Sequence, residues 1–371
     1  MSTKTSYISS SHDKKLDRIA AFDLARGVPI LFMIIIHVLA FYGSADVQQG
    51  NFAKTVNYLI GWPSASIFVF MMGVFVVYST NSNLNKGLQR AATLFMLGYL
   101  LNLVRETIPT WLSLELGFVT SEQLGMYTPL HGLLVVDILQ NAGLAYAICL
   151  LLKHYIKQAA AWLALALLVA FGSPLLWDIT TGIPVFDQLL KIFWGNRAQG
   201  ALFPLFPWLA YPLVGMAFGQ WFKHSTNNKK AFNITLLAGI SLLIVGRLII
   251  ELNPEYHIAD KMRHGPGLLV LMTGIVFIWL WLFNLLTLII KPNIGFSLLY
   301  FWSKHVTAMY FIHWLFVGWG LMLFGAEQLA LPALLLWMLT VAISSDATLR
   351  LWLKKKKKNT QSASSLNIKQ C

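Results

Sequence analysis

Residues 19–43 read IAAFDLARGVPILFMIIIHVLAFYG, an apolar run with only three ionisable side chains, Asp23, Arg26 and His37. A helix needs about 20 mostly apolar residues to cross a bilayer, and this run is long enough. It is too long for the apolar core of a secretory signal peptide, and three ionisable groups would be unusual there. We therefore predict that the run is an uncleaved first membrane span.

The composition of the whole chain agrees with that prediction. Hydrophobic residues make up 57% of the 371 residues and charged residues only 12%, whereas a soluble domain carries about 25% charged residues. Long unbroken apolar runs argue against a β-barrel, whose strands alternate apolar and polar residues. The predicted fold is an all-α, polytopic membrane protein with about ten transmembrane helices. The predicted spans are 19–43, 62–80, 88–104, 131–152, 159–177, 201–222, 231–250, 266–290, 303–324 and 331–353.

The distribution of basic residues orients these spans. Cytoplasmic loops are enriched in Lys and Arg, and with the N-terminus inside, 20 of the 28 basic residues fall on the inner side and six on the outer side. Both termini are thus predicted to be cytoplasmic, in a bacterial inner (plasma) membrane. The net charge is +13, and the basic residues lie between the apolar runs. They are therefore predicted to orient the protein in the lipid bilayer and not to bind nucleic acid. The predicted domains are a tail over 1–18, one transmembrane domain over 19–353 and a basic tail over 354–371.

Ionisable groups within spans are costly and mark functional sites. Asp23 and Arg26 are three residues apart and can pair on one helical face. Arg26 and His37 are eleven residues apart, so they share a face and lie about 16 Å apart along the axis. A guanidinium binds phosphate groups well, and imidazole is the usual general base. The pair predicts an anionic donor held near the cytosol, with its reactive end at His37.

Other polar residues in the spans are candidates for the same site. Asp137 and Asn141 could form a stripe with His131, and His313 shares a face with Tyr310. Arg247 is either in a local pair with Glu251, four residues on, or in contact with the donor or substrate. We expect Asp137 to be catalytic, Arg247 to bind the donor, and a third group to bind the substrate: Asn141, His131, His313 and Tyr310. No metal site is predicted, because no cluster of His and Cys has ligand spacing.

Several stretches of the sequence resemble those of known families. The run FDLARGVPILFMIIIH (22–37) resembles the first helix of the acyltransferase-3 family of membrane acyltransferases. The wider pattern is similar to the related heparan-α-glucosaminide N-acetyltransferase-like family. It consists of FVFMMGVFVVYS (68–79), LQRAATLFMLGYLLNLVR (88–105), DILQNAGLAYAI (137–148), FPLFPWLAYPLVGMAFG (203–219) and AMYFIHW (308–314).

The resemblance implies transfer of an acyl group, usually acetyl from cytosolic acetyl-CoA, to a saccharide across the membrane. It also implies that His37 is the essential catalytic residue and that Arg26 supports donor binding. The expected partners are acyl-CoA and a saccharide, glycan or amino-sugar acceptor. Formation of a homo-oligomer is left open. A secondary transporter or flippase for a sugar-linked substrate is the main alternative, although the broken-helix repeats typical of transporters are not evident; a scaffolding protein would leave the buried charges without a use.

Overall fold

The apolar runs form helices in the computed structural model of the chain, which describes residues 19–80, 83–125, 127–177 and 179–368. The predicted tail over 1–18 lies outside these residues. Within the described part, extended backbone pairs only at two isolated bridges, Gly43 with Leu329 and Val136 with Ala201. The helices are α1 (Ala20–Tyr42), α2 (Ala45–Gln49), α3 (Asn51–Val56), α4 (Trp62–Tyr78), α5 (Leu84–Asn102), α6 (Ile108–Glu115), α7 (Ser121–Leu124), α8 (Pro129–Leu133), α9 (Ile138–Tyr155), α10 (Ala159–Gly172), α11 (Pro184–Trp194), α12 (Leu205–Trp208), α13 (Ala210–Lys223), α14 (Asn228–Leu252), α15 (Pro254–Ile258), α16 (Pro266–Ile289), α17 (Ile294–Lys304), α18 (Val306–Phe324) and α19 (Leu331–Ile368).

Seven helical segments in the described residues are long and apolar enough to cross a membrane. They are Ala20–Tyr42, Asn51–Tyr78, Ala159–Leu176, Asn228–Leu252, Pro266–Ile289, Val306–Phe324 and Leu331–Asn359. The other three predicted spans correspond to α5, α9 and α13. Helix α5 begins with a polar stretch that includes Lys86 and Arg90, α9 ends in Lys153 and His154, and α13 is only 14 residues long. The count of ten crossings therefore stays a prediction.

Helix α1 lies at the centre of the bundle and contacts α4, α16, α17, α18 and α19. Around it, α4 packs against α13, α5 against α9 and α14 against α16. The contact between α4 and α13 depends on Gly73 and Gly215: a Cβ atom at Gly73 would overlap the carbonyl of Pro212, and one at Gly215 would overlap the carbonyl of Phe70. Small residues of this kind allow membrane helices to approach closely.

The predicted span 131–152 is wrong at its start, because two helices replace one. Helix α8 ends at Leu133, and Val136 then pairs with the segment after α11: its N–H donates to the carbonyl of Gly200 at 2.9 Å. Asp137 begins α9 through a capping box with Gln140, in which each side chain accepts from the backbone of the other. A capping box marks the start of a helix. His131 and Asp137 therefore do not lie on one face of a single helix, as the sequence predicted.

Two helices continue beyond their predicted ends. The span 88–104 was expected to stop before an outer loop over 105–130, but α5 continues through a π-helical turn over Leu103–Thr107 into α6. Arg105, in that turn, is buried with 1% of its surface exposed. At the other end of the chain, α19 continues through the five lysines 354–358 to Ile368, where the sequence predicted the basic tail.

Candidate active site

The centre of the candidate site is a pair of histidines from α1 and α18. The Nδ1 atom of His37 lies 3.0 Å from Nε2 of His313. The other ring nitrogen of His313, Nδ1, lies 3.1 Å from the backbone carbonyl of Met309, one turn earlier in α18. Because a carbonyl can only accept, His313 must carry its proton on Nδ1. In the neutral pair, Nε2 of His313 is therefore an acceptor, and His37 donates from Nδ1.

This arrangement determines the tautomer of His37. With the proton on Nδ1, the Nε2 atom of His37 keeps its lone pair, which is the form needed in a base or nucleophile. No residue that the structure describes forms a hydrogen bond with this Nε2 atom. The imidazole stacks on the indole of Trp314, with ring centroids 4.0 Å apart and ring planes inclined by 29°. One nitrogen of His37 is thus fixed by the protein and the other is available for chemistry.

A buried ion pair lies beside the histidines. The carboxylate of Asp137 accepts from Nη2 of Arg105 at 2.7 Å and from the hydroxyl of Tyr310 at 3.1 Å. Arg105 also lies 3.2 Å from the carboxylate of Glu106, and its guanidinium covers the ring of Trp314 at 4.0 Å. Trp314 therefore contacts both Arg105 and His37, and the ion pair and the histidine pair form one cluster.

Several polar side chains of this region, among them Trp314, have buried atoms that lack a hydrogen-bond partner within the described residues. Three of these atoms are Nε and Nη1 of Arg105 and Oδ1 of Asn141. The amide nitrogen of Asn141 donates to the carbonyl of Pro204 at 3.2 Å, which joins α9 to the chain before α12. Buried polar groups normally have partners. These atoms are consequently candidates for contact with a substrate or with water.

Arg26 lies in a second polar group, eleven residues before His37 on α1. Its Nε donates to the hydroxyl of Ser303 on α17 at 2.9 Å, and a nitrogen of the guanidinium lies 3.8 Å from the carboxylate of Asp23. The guanidinium also lies 4.2 Å from the ring centre of Phe75 on α4. A quarter of the side chain is exposed, so the group can still reach an anionic ligand.

The structure does not bring His131 and Arg247 to the histidine pair. His131 lies on α8, where its ring contacts Tyr127 and faces Gly200. Arg247 is 64% exposed on α14 and pairs with Glu251, which is the local pair that the spacing allows. The remaining predicted residues fall into the two groups described above: His37, His313, Tyr310 and Asp137 in the cluster, with Asn141 one turn along α9, and Arg26 near α17.

Sequence reasoning missed several residues of these groups. Arg105 was placed in an outer loop, because the predicted span 88–104 ended one residue before it. Asn102, buried one turn before it, donates to the carbonyls of Leu133 and Val135 and accepts from Arg105. The available signal was the i, i+3 spacing of Asn102 and Arg105 in LLNLVR, which places both on one helical face. Trp314 was included only as the last residue of AMYFIHW, with no role assigned to it, and nothing in the sequence indicated Ser303.

Fold and site together define a polytopic helical membrane protein with a buried acid–base cluster. Residues 18–250, well over half of the chain, match the family described as heparan-alpha-glucosaminide N-acetyltransferase, catalytic. The chain belongs to this family, and membership implies a membrane acetyltransferase. The matched residues include Arg26, His37, Arg105 and Asp137, whereas Tyr310 and His313 lie beyond them. A search of curated proteins finds no match.

Proposed function

We propose that the protein transfers an acetyl group from cytosolic acetyl-CoA to a hydroxyl or amine of a saccharide or amino-sugar acceptor on the extracytoplasmic face. The observation that carries the proposal is the fixed tautomer of His37, whose Nε2 lone pair is left for the reaction. The family match supports acetyl transfer and favours an enzyme over a transporter or flippase.

Arg26 is the proposed contact for the donor. Acetyl-CoA supplies a thioester and carries several phosphate groups, and a guanidinium matches phosphate through paired hydrogen bonds. Arg26 is partly exposed, and Ser303 and Phe75 fix its position. Arg247 was also expected to bind the donor; because it is exposed on α14 and pairs with Glu251, we do not retain it in the proposed site.

His37 is the proposed base. Its Nε2 removes a proton from the acceptor hydroxyl or amine as the acceptor oxygen or nitrogen attacks the thioester carbonyl. The bond between the carbonyl carbon and sulfur breaks, and the thiolate of coenzyme A takes the proton from the imidazolium. In the alternative two-step route, Nε2 attacks the thioester carbonyl first and the thiolate of coenzyme A leaves; the acetyl-imidazolium then passes the acetyl group to the acceptor, and the acceptor proton goes to the thiolate. Both routes need the same tautomer.

The other residues of the cluster have supporting roles in this proposal. The Asp137 carboxylate pairs with Arg105 at 2.7 Å and so offsets the charge of that guanidinium beside the histidine pair, where positive charge develops during transfer. Tyr310 and Arg105 hold this carboxylate in place. The free Oδ1 of Asn141 can accept from an acceptor hydroxyl, since it has no partner within the described residues.

The proposed topology has ten crossings with both termini in the cytoplasm of a bacterial cell. It is supported by the basic residues on one side of the bundle and by seven apolar helices. In this orientation Arg26 lies near the cytosol and His37 in the outer half of the membrane. Donor and acceptor would thus approach the same histidine from opposite sides.

The test is acetyl transfer by the purified protein in liposomes, with labelled acetyl-CoA and a panel of amino sugars and glycans. The wild type is compared with His37→Ala, and with His154→Ala, which removes an exposed histidine at the end of α9. We expect coenzyme A release and product label with the wild type and His154→Ala, and loss of both with a folded His37→Ala protein. Full turnover by His37→Ala would reject His37 as the base. No acetyl-CoA binding by the wild type would reject the enzyme.

A further inference from the structure

Helix α11 is amphipathic, but its apolar face is the one that lies outside. Within its sequence, PVFDQLLKIFW, Val185, Phe186 and Leu189 fall on one face, since residues three and four apart are neighbours on a helix. These side chains are 70%, 54% and 52% exposed, whereas Lys191, on the opposite face, is only 6% exposed. A helix on the surface of a soluble protein has the reverse arrangement, with its apolar face toward the core.

Hydrogen bonds hold the polar face of α11 against the rest of the protein. The amide of Gln188 donates to the carbonyl of Leu134 at 3.3 Å. The ammonium group of Lys191 donates to the carbonyl of Gln199 at 3.1 Å. Both donors lie on the side of the helix away from Phe186, so these bonds fix the rotation of α11 about its own axis. The outward direction of the apolar face is therefore set by the fold.

Helix α11 lies beside the end of a segment that can cross the membrane. This segment, Ala159–Leu176, is long and apolar enough for a crossing. Leu175, near its end, is 81% exposed, as expected of a side chain that faces lipid. Trp194, the last residue of α11, donates from its indole nitrogen to the carbonyl of Ile179 at 3.1 Å. Helix α11 is thus folded back onto the chain just where that chain leaves the crossing segment.

The length of α11 excludes a membrane crossing of its own. Its 11 residues extend about 16 Å at 1.5 Å per residue, which is roughly half of the ~30 Å hydrocarbon core of a bilayer. An apolar helix this short is either a buried core helix or a helix in the membrane interface. The exposure of Val185 and Phe186 excludes the first. In water, the same face would be a contiguous patch of large apolar side chains, which marks a surface that binds a membrane or another molecule.

We propose that α11 is inserted into the surface layer of the bilayer, with Val185, Phe186 and Leu189 among the acyl chains of the phospholipids. Interfacial helices bury their apolar face in this way while their polar face stays outside the hydrocarbon. Lipid is the partner that fits, because the exposed face adjoins the end of Ala159–Leu176, whose own exposed side chains face lipid. The proposal does not depend on the reaction proposed above.

The inserted helix is joined to the candidate active site through the chain that follows it. The carbonyl of Gly200 accepts from the N–H of Val136 at 2.9 Å, and the N–H of Leu202 donates to the carbonyl of Val136 at 2.8 Å. Val136 directly precedes Asp137, whose carboxylate pairs with Arg105. Contact of α11 with lipid therefore supports the backbone from which Asp137 begins α9.

The test places nitroxide spin labels on the full chain in liposomes of phosphatidylethanolamine and phosphatidylglycerol. One cysteine is introduced at a time, as Val185→Cys, Phe186→Cys or Leu189→Cys, in a Cys371→Ser background. Cys149 is kept because it is fully buried, and the Cys371→Ser protein alone gives the background label. Because all three replaced side chains are exposed, the packing of the bundle is kept.

The measured quantity is the ratio of two collision rates of each label: with oxygen, which concentrates among acyl chains, and with a water-soluble nickel chelate. Two references lie on α14: Leu237→Cys, at a 65% exposed position within the apolar segment, and Lys229→Cys, at an exposed lysine in the first turn. We expect the ratio at the three α11 positions to exceed that of Lys229→Cys severalfold and to approach that of Leu237→Cys.

Two results would overturn the insertion of α11. A ratio at or below that of Lys229→Cys would mean that the apolar face lies in water. Labels that collide with neither reagent would mean that protein, such as a second copy of the chain, covers the face in place of lipid.

Discussion

The Nδ1 atom of His37 lies 3.0 Å from Nε2 of His313, and the carbonyl of Met309 orients this contact from the far side. The carbonyl holds a proton on Nδ1 of His313, and Nε2 of His313 in turn holds a proton on Nδ1 of His37. The Nε2 atom of His37 therefore keeps its lone pair. In the proposed function, His313 is therefore a positioning residue that acts through His37.

Removal of this positioning residue should slow the chemical step. We expect His313→Ala to lower kcat for acetyl transfer about 100-fold, because loss of the orienting partner lets the imidazole take the wrong tautomer. His313→Gln should recover much of the loss, since the amide oxygen of Gln can accept from Nδ1 of His37. The measurement is steady-state kinetics with both variants, and KM for acetyl-CoA should stay near the wild-type value. Equal activity of the Ala and Gln variants would mean that the hydrogen bond does not set the tautomer.

Neutralising Asp137 should destabilise the fold. Asp137→Asn keeps a side chain that can cap α9, but it removes the main counter-charge of the buried Arg105. We expect a loss of about 3 kcal/mol in the free energy of unfolding, as for other broken buried ion pairs. The comparison is Glu251→Gln, which disrupts the exposed pair with Arg247 and should cost less than about 1 kcal/mol. Denaturant unfolding in micelles gives both values; similar losses for the two variants would contradict the buried pair.

A methyl group at Gly318 should displace Arg105. A Cβ atom there would overlap the backbone carbonyl of Arg105, so α18 and the π-helical turn must separate. We expect Gly318→Ala to cost about 1 to 3 kcal/mol in the free energy of unfolding and to reduce acetyl transfer. Gly172→Ala is the matched control, because a Cβ atom at the end of α10 meets nothing within 4 Å. The stability of both variants is measured by thermal unfolding and their activity by the transfer assay. A Gly318→Ala protein with wild-type stability and activity would contradict the close approach of α18 to Arg105.

Lys191 should make stability depend on pH in the alkaline range. Burial lowers the pKa of Lys191 from 10.5 to about 8, so between these values the unfolded chain binds a proton that the folded chain does not. Stability rises with pH wherever the unfolded state binds more protons. The free energy of unfolding of the wild type should therefore increase relative to that of Lys191→Met as pH rises from about 8 to 10.5. Denaturant midpoints measured across this range, with Lys229→Met as control, decide the matter: a constant difference between wild type and Lys191→Met would reject the lowered pKa.

Hydropathy predicted much of the fold, because an apolar run long enough to span a membrane has few alternatives to a helix. The polar interruptions were harder to read. Arg105 ended a predicted span because charges are expensive in lipid, but its carboxylate partners come from Asp137 and Glu106 and make burial tolerable. The break between α8 and α9 was encoded locally, in the Asp137 and Gln140 capping box, and could have been predicted.

The site was only partly predictable for a different reason. Arg26 and His37 were found from spacing within one helix, which depends on local geometry alone. The contact of His37 with His313 joins residues 276 positions apart, and no periodicity in a single sequence specifies such a pairing. His131 and Lys191 illustrate the same limit. Their side chains meet beside Gly200 only after α8 and α11 have packed.

The histidine pair also has a consequence for the order in which the protein matures. One ring belongs to the first long helix and the other to α18, so the hydrogen bond cannot form until nearly the whole chain has been synthesised and inserted. A nascent chain that has completed residues 18–250 already contains the family sequence but lacks the partner that directs the His37 lone pair. If His37 is the base that we propose, its preparation for the reaction depends on insertion of α18, more than 270 residues later in the chain.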